Sequence, residues 1–265
     1  MGKGLRRGIT TALMLTALAA LAAVHPASPL RQYLPSLPFE THRAQKAVRN
    51  AKPRLAGELE KKGLRLGAPL FIRIYKTSAP GAGDQGRLEA WLRAGDGKYV
   101  LLRAYPVCAR SGRLGPKLKE GDRQSPEGFY MVGPERMNPR SRYHLSFNLG
   151  FPNAHDRANG WTGSFLMVHG KCVSIGCYAM TDPVIEDIWT LMQAAFREGQ
   201  KRVPVHIFPF PMSDENLERW MKEHPGWRWA GFWRELQEGW RMFEQTRTPP
   251  AVSIRAGHYV FQPPR

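Results

Sequence analysis

Cysteine is scarce in this chain of 265 residues, which contains only Cys108, Cys172 and Cys177. An odd number excludes complete pairing, so at least one thiol stays free if the protein is exported. If Cys177 is the free thiol, Cys108 and Cys172 can form a disulfide in an oxidising compartment. Two buried free thiols at these positions are an equal alternative at the level of sequence.

Acidic residues are also few. The chain has 22 Asp and Glu against 39 Lys and Arg, which gives a formal net charge of +17 at pH 7. Such an imbalance predicts an anionic partner or surface, and nucleic acid is the usual partner of a basic intracellular chain. A basic soluble surface without a specific partner is the plain alternative.

An apolar run long enough to span a bilayer is lacking near the N-terminus. Residues 9–24 are apolar or small, but they fall short of the roughly 20 residues that a transmembrane helix needs. They follow the basic residues Lys3, Arg6 and Arg7, and this order is typical of a secretory signal. We therefore predict a signal peptide at 1–27, an exported protein and no nucleic-acid partner; an uncleaved anchor is the alternative.

The organising segment of the chain surrounds two residues, His169 and Cys177. Residues 164–168 are apolar and follow glycine-containing turns, which predicts a buried strand that ends at His169. Apolar residues then recur at helical spacing over 183–198, with Asp182 as the predicted N-cap. Cys177 therefore lies in a tight loop between the end of a strand and the start of a helix.

A thiol and an imidazole eight residues apart across such a loop can come within hydrogen-bonding reach. His169 would then accept the proton of Cys177, and the sulfur would attack a carbonyl carbon. Backbone amides near Gly170 and Gly176 would stabilise the oxyanion, and Ser174 would orient the imidazole or donate to the oxyanion. The pattern predicts acyl transfer.

Two sequence blocks carry a family resemblance. The segment HGKCVSIGCYAMTD at 169–182 resembles the signature of the L,D-transpeptidase catalytic domain, the YkuD-type fold, and in particular its YafK-like branch. The basic, glycine-containing block at 115–130 matches as well, and the resemblance covers roughly residues 69–250. It implies acyl transfer on diaminopimelate-containing stem peptides of peptidoglycan, in the periplasm, through Cys177 and His169.

Two positions depart from the pattern of the wider family. Ile175 stands where many members have a second His, and Ala179 stands where many have an Arg. The YafK-like branch shares both departures, and it implies hydrolysis of the amide that joins peptidoglycan to an outer-membrane lipoprotein. The alternatives are a transpeptidase that forms cross-links or attaches lipoprotein, and a noncatalytic basic module that binds the envelope.

Five further residues are candidates for substrate binding. Basic side chains in the 115–130 block could hold a carboxylate of the stem peptide, while other polar or aromatic residues could line the cleft. The candidates are Lys117, Arg123, Tyr143, His155 and Tyr178.

A metal site is the competing interpretation of the central segment. His169, Cys172 and Cys177 are all possible zinc ligands, but their spacing is not that of a usual ligand pair. A fourth ligand would have to come from Cys108 or from a distant residue such as His155. We therefore expect neither a metal nor another cofactor.

The remaining pattern predicts an α+β fold that is mostly β. Strands at 71–76, 88–93, 99–107, 129–132, 145–150 and 203–208 favour a curved antiparallel or mixed sheet, or a barrel-like core. The predicted organisation is a linker and N-terminal helices at 28–67, the catalytic domain at 68–210 and a Trp-rich helical extension at 211–265. The Trp stripe of that extension is expected to pack as core or to form a wall of the cleft, and the last residues to form a loose tail.

Overall fold

The computed structural model describes residues 41–83 and 85–263. The predicted signal peptide and most of the predicted linker lie outside these residues. No helix in the described ranges is both long and apolar enough to cross a lipid bilayer. In chain order the elements are α1 (His42–Lys61), β1 (Leu70–Tyr75), β2 (Arg87–Arg93), β3 (Tyr99–Pro106), β4 (Gly128–Val132), β5 (Met137–Asn138), β6 (Ser146–Asn148), α2 (Ala154–Ala158), β7 (Met167–His169), β8 (Tyr178–Ala179), α3 (Asp182–Arg197), β9 (Val203–Phe208), α4 (Asp214–Glu223), α5 (Ala230–Thr246), β10 (Ala251–Arg255) and β11 (His258–Gln262).

The larger sheet has five strands in the spatial order β3-β2-β1-β9-β4. The three strands β1, β2 and β3 are antiparallel neighbours, as their predicted turns require. β9 runs parallel to β1 and antiparallel to β4, so the sheet is mixed. The second sheet has the order β5-β6-β7-β8. Both sheets are open, which confirms the α+β class and the mixed sheet but not a closed barrel.

Two helices, α1 and α3, pack against each other. α1 is one continuous helix that contains Pro53, and it packs against α3. Arg54 links the two helices, with Nη2 2.8 Å from Asp187 Oδ1 and 3.3 Å from Glu186 Oε2. The carboxylates themselves are buried or nearly so. These ion pairs therefore hold α3 against α1. α3 begins shortly after Cys177, at Asp182.

The start of α3 differs by one residue from the prediction. Thr181 is the N-cap, and Asp182 is already the first helical residue. The Asp182 carboxylate accepts a hydrogen bond from the backbone N–H of Lys171 at 2.8 Å. The Asp182 side chain therefore forms a hydrogen bond to the loop at 170–176 and does not cap α3.

The C-terminal segment packs on the larger sheet. Trp220 and Trp233 are buried in one cluster with Phe208 and Phe210, as expected if the Trp stripe is core. The predicted extension is not entirely helical, because 251–262 form the antiparallel β10–β11 hairpin, and of the predicted loose tail around Pro263 and Pro264 only Pro263 is described. Residues 258–262 include the β-prone run Tyr259-Val260-Phe261, which was an available strand signal, and burial alternates along β11. Tyr259 and Phe261 on β11 are buried in the same cluster.

Candidate active site

The thiol and the imidazole lie on neighbouring strands. His169 is the last residue of β7, and Cys177 comes immediately before β8. The strands are parallel with Val168 opposite Tyr178, so Cys177 lies beside Met167. Because side chains alternate along a strand, His169 and Cys177 share a face, with Cα atoms about 8 Å apart from strand spacing and rise. Two side chains that point toward each other can close this separation.

The Cys177 thiol is half-buried against the segment that enters β7. Its Sγ lies 3.4 Å from the backbone N of Met167 and 3.7 Å from the carbonyl oxygen of Phe165. Burial raises the pKa of the thiol above its usual value, while the Met167 N–H and the charge of Lys117 act in the opposite direction. The resting group is therefore a protonated thiol that needs a base to become a nucleophile.

His169, the predicted base, lies on the neighbouring strand. The residue is 2% exposed, and its Nδ1 lies 2.7 Å from the carbonyl oxygen of Gly170. A carbonyl can only accept, so Nδ1 carries the proton and Nε2 carries the lone pair of the neutral ring. Burial lowers the pKa of His169, and the hydrogen bond to Gly170 acts weakly in the other direction. The neutral imidazole therefore predominates at pH 7.

Tyr143 covers the imidazole. The two ring centroids are 4.6 Å apart, with an angle of 33° between the planes. The carbonyl of Tyr143 also accepts a hydrogen bond from the backbone N–H of Gly170 at 3.0 Å. Tyr143 therefore holds both the ring of His169 and the backbone whose carbonyl orients that ring. Tyr143, which the sequence predicted to bind substrate, thus contacts the predicted base His169.

A disulfide between Cys108 and Cys172 anchors the loop at 170–176, with 5.2 Å between the Cα atoms. This pairing is one of the two alternatives that the sequence left open, and Cys177 is the free cysteine. Lys171 and Cys172 both have positive φ, at 65° and 49°, a region that is costly for residues with a side chain. The disulfide and the bond from Lys171 to Asp182 hold the loop there.

The disulfide also bears on the metal alternative. A sulfur bonded to Cys108 cannot serve as a thiolate ligand, so Cys172 is removed from the proposed set with His169 and Cys177. Over 41–83 and 85–263, no three His, Cys, Asp or Glu side chains gather closely enough to hold a metal ion.

Ser174 has a different contact from the predicted one. Its hydroxyl donates to the backbone carbonyl of Cys177 at 2.7 Å and accepts from the N–H of Gly176 at 3.2 Å. Ser125, which sequence reasoning missed, donates to the same Cys177 carbonyl at 3.1 Å. Two hydroxyls thus hold the backbone of the thiol residue, and the imidazole is oriented by Gly170 instead. The Ser125 contact spans 52 positions, so no local signal could have found it.

The predicted amide donors are also already engaged. The N–H of Gly170 donates to the carbonyls of Tyr143 and Leu145, and that of Gly176 donates to Ser174. Gly170 is nevertheless required, because a Cβ there would lie 2.5 Å from Asp182 Oδ1. Gly176 has φ of +132°, which glycine tolerates best. Both glycines therefore shape the turn, and neither amide is available for an oxyanion in this conformation.

The two basic candidates differ in their surroundings. Lys117 is buried, its Nζ lies 2.5 Å from Asp122 Oδ1, and its charge acts on the Cys177 thiol. Arg123 is exposed with φ of +54°, and its carbonyl accepts from Ser111 Oγ at 2.7 Å. Lys117 therefore supplies positive potential near the sulfur, whereas Arg123 extends to solvent in the 115–130 block.

Two predicted substrate-binding residues are corrected. His155 is buried, and its ring stacks on that of Tyr259 with centroids 4.1 Å apart. Tyr178 is fully buried, and its hydroxyl donates to the carbonyl of Pro126 at 2.7 Å. Tyr178 follows Cys177 directly, so strand alternation turns its side chain to the opposite face. Both side chains belong to the core.

Four exposed apolar or aromatic side chains lie on segments next to the site, and we define them as the apolar rim: Tyr143, Phe165, Val173 and Ile175. All four side chains are exposed, Phe165 at 75% and Ile175 at 80%. Tyr143 contacts His169, the Phe165 carbonyl faces the sulfur, and the other two flank the loop before Cys177. Sequence reasoning noted Ile175 only as a departure. The available signal for the rim was the occurrence of two apolar residues, Val173 and Ile175, in a polar, glycine-rich loop.

The sequence and the fold are similar to those of several known proteins. No protein-family model matches the sequence. The chain is 45% identical over 199 residues to "Putative L,D-transpeptidase YafK" of Escherichia coli K12, covering 75% of this chain and 76% of that protein. The same values hold for the protein of that name in Escherichia coli O157:H7.

Two solved structures are more distant. The helical cell shape determining protein Pgp2 of Campylobacter jejuni has a TM-score of 0.41 and 17% identity, over 79% of this chain and 82% of that one. Bd1075 of Bdellovibrio bacteriovorus has a TM-score of 0.36 and 15% identity, over 71% of this chain and 77% of that one.

Proposed function

The chain belongs to the L,D-transpeptidase family, and from that premise we propose that it is a periplasmic enzyme which acts on peptidoglycan stem peptides through a Cys177 acyl-enzyme. The observation that carries the proposal is the placement of His169 and Cys177 on one face of two parallel strands. The Gly170 carbonyl, 2.7 Å from Nδ1, directs the basic Nε2 away from the backbone.

The reaction begins with a neutral thiol and a neutral imidazole. Nε2 of His169 accepts the proton of Cys177 as the sulfur attacks the carbonyl carbon of a stem-peptide amide. The C–N bond then breaks, and the imidazolium returns its proton to the departing amine. A thioester remains on Cys177. The amine therefore leaves in the first step, and the acyl group is released from the enzyme in the second.

The second step determines the overall reaction. Water attacking the thioester gives a carboxylic acid and restores the thiol, whereas an acceptor amine gives a new amide. We propose hydrolysis, and specifically hydrolysis of the amide that joins diaminopimelate to the C-terminal Lys of an outer-membrane lipoprotein. The resemblance to the YafK-like branch, with the shared departures at Ile175 and Ala179, supports this choice. The name of the Escherichia coli relative specifies only an L,D-transpeptidase.

The surroundings of the thiol are consistent with a peptide leaving group. The apolar rim offers contact area to uncharged side chains next to the bond that breaks. Ala179 is fully buried and its backbone pairs with Ala109, so this position offers no cation to an anionic substrate group. We propose that Lys117, with its effect on the Cys177 thiol, supplies positive charge instead.

The proposal extends to location and organisation. We propose cleavage of a signal at 1–27, a linker with an N-terminal helix to 67, a catalytic domain at 68–210 and a C-terminal extension at 211–265. The net charge of +17 supports a location at the cell envelope, whose surfaces are anionic.

Mass spectrometry of muropeptides that carry a lipoprotein peptide tests the proposed reaction. The mature wild-type protein and its Cys177→Ala variant are incubated with the same substrate. Release of free lipoprotein peptide by the wild type alone is the expected result. New diaminopimelate cross-links would show that the enzyme is a transpeptidase and not a hydrolase. Equal binding of the substrate by both proteins, without turnover, would favour the noncatalytic module.

A further inference from the structure

A second cleft lies between the larger sheet and the C-terminal hairpin. It has a volume of about 850 Å³, and its walls come mainly from β4, β9, the α2 region and β10. Neither Cys177 nor His169 lines it. A volume of this size falls in the range of roughly 300–1,000 Å³ that is typical of ligand sites.

The cleft is strongly cationic. Arg136, Arg157 and Arg202 line it, and none of its lining residues is Asp or Glu. Arg157 donates to the backbone carbonyl of Pro152, a contact that leaves its charge uncompensated. Within the described ranges, the Arg202 side chain has no hydrogen-bond or ion-pair partner. Both side chains are exposed at the mouth and can reach an anion.

Arg136 packs against the backbone of Gly150, where the lack of a side chain leaves room for its guanidinium. Gly150 has φ of +85°, and a Cβ on it would lie 2.7 Å from the guanidinium carbon of Arg136. The Nε of Arg136 is buried and has no hydrogen-bond partner in the described chain. The same Nε lies 3.7 Å from Oε1 of the exposed Glu135, which is the one ion pair of Arg136 among the described residues. Because this Nε is inaccessible to solvent, Arg136 would contact an anion in the cleft through its terminal Nη groups.

The rest of the wall is uncharged and mostly apolar. His206 lines the cleft, and burial lowers its pKa to about 3, so its ring is neutral at physiological pH. Asp156 lies close by, but its carboxylate accepts from the Asn153 N–H at 2.8 Å and the Tyr130 hydroxyl at 3.3 Å. Met131 at the mouth is 46% exposed. The cleft therefore suits an anion that also carries apolar surface.

We propose that this cleft is a second substrate subsite, which binds a carboxylate-bearing peptide segment of the polymer at a distance from the bond that breaks. The identity of the polymer rests on the proposed function, whereas the anionic chemistry rests on the three arginines. Guanidinium groups pair with carboxylates in two-pronged geometry, and the apolar wall contacts the peptide side chains. The subsite would favour the intact polymer over short soluble fragments.

Sedimentation with purified peptidoglycan tests the subsite without requiring turnover. The Cys177→Ala protein is compared with the same chain carrying Arg157→Gln and Arg202→Gln. Lys46→Gln with Arg49→Gln is the matched control, because these exposed residues of α1 give the same change of charge. We expect at least about a fivefold loss of binding for the cleft variant, less than twofold for the control, and unchanged melting temperatures.

A local readout accompanies this measurement. The methyl resonance of Met131, assigned with Met131→Leu, should shift when a soluble stem tetrapeptide with free carboxylates is added at high concentration. An equal loss of binding in both charge variants, or an unmoved Met131 signal, would overturn the proposal. Loss of binding to vesicles of anionic phospholipid, with peptidoglycan binding retained, would assign the cleft to lipid headgroups and would overturn it as well.

Failure of the proposed function gives a different pattern. If the wild type lacks turnover but the cleft variant still binds peptidoglycan more weakly than the control, the subsite stands alone. If turnover is present and binding is unaffected by the cleft substitutions, the proposed function stands and the subsite is rejected.

Discussion

Nδ1 of His169 lies 2.7 Å from the carbonyl oxygen of Gly170, the very next residue. This contact assigns the proton to Nδ1 and leaves Nε2 as the basic nitrogen. It depends on a backbone that the Gly170 N–H fixes by donating to Tyr143 at 3.0 Å. Among the described residues, the hydrogen bond that orients the imidazole comes from the main chain, and no carboxylate bonds to the ring.

The pH dependence of kcat/KM follows from the burial of His169. Burial lowers the pKa of this ring below its usual 6.5, so the neutral form persists to lower pH. Protonation below that pKa removes the acceptor for the thiol proton and activity falls. We expect the acid limb of the profile to have its midpoint below pH 6.5. A midpoint clearly above 6.5 would contradict a buried, neutral base.

Removal of the Tyr143 ring should reduce turnover. The ring stacks at 4.6 Å on the imidazole, and aromatic contacts of this kind contribute about 0.5–1.5 kcal/mol. We expect Tyr143→Ala to lower kcat by about 2- to 10-fold, with the acid limb displaced because the imidazole becomes more solvated. Tyr143→Phe is the control, since it keeps the ring. Equal loss in both variants would point to the hydroxyl instead.

Loss of the disulfide should affect both stability and activity. Cys108 and Cys172 are 64 positions apart in sequence, and cross-links over such loops typically contribute about 2–4 kcal/mol. Cys108→Ser with Cys172→Ser should lower the free energy of unfolding by this amount in a urea titration. It should also lower kcat, because Lys171 and Cys172 lose the anchor that holds their positive φ.

The matched control for the disulfide is Cys177→Ser, which abolishes turnover and should leave the urea midpoint nearly unchanged. Full activity of the double Ser variant under conditions where it is folded would show that the loop holds its shape without the cross-link.

A buried ion pair connects the larger sheet to the C-terminal helices. Lys76 Nζ lies 3.0 Å from Glu127 Oε1, both side chains are inaccessible, and Glu127 Oε2 accepts from Trp233 Nε1 at 2.8 Å. Glu127→Gln removes the counter-charge of Lys76, which keeps only the carbonyls of Arg113 and Gly115 as acceptors, so we expect a loss of about 3–5 kcal/mol in unfolding free energy.

A double-mutant cycle tests whether that loss comes from the pair. Lys76→Met combined with Glu127→Gln removes the unpaired charge and should cost less than the sum of the two single substitutions. Strict additivity would mean that the two charges do not stabilise one another.

Much of the frame around the site was predictable from local pattern. The end of β7 at His169, the loop that contains Cys177, and α3 follow from short apolar periods and turn residues that act over a few positions. The β10–β11 hairpin was missed. Its turn at Ala256 and Gly257 has positive φ at both residues, and only one of them is glycine.

The sequence by itself therefore determined the residue types that carry the chemistry and the local elements that hold them, because hydrophobic period and turn chemistry act between near neighbours. Only the tertiary structure decided the pairing of Cys108 with Cys172, the contact of Ser125 with Cys177, and the burial of His155 and Tyr178. These outcomes depend on which distant strands meet and which face each strand buries. Packing of the whole chain selects them, and no single segment encodes that choice.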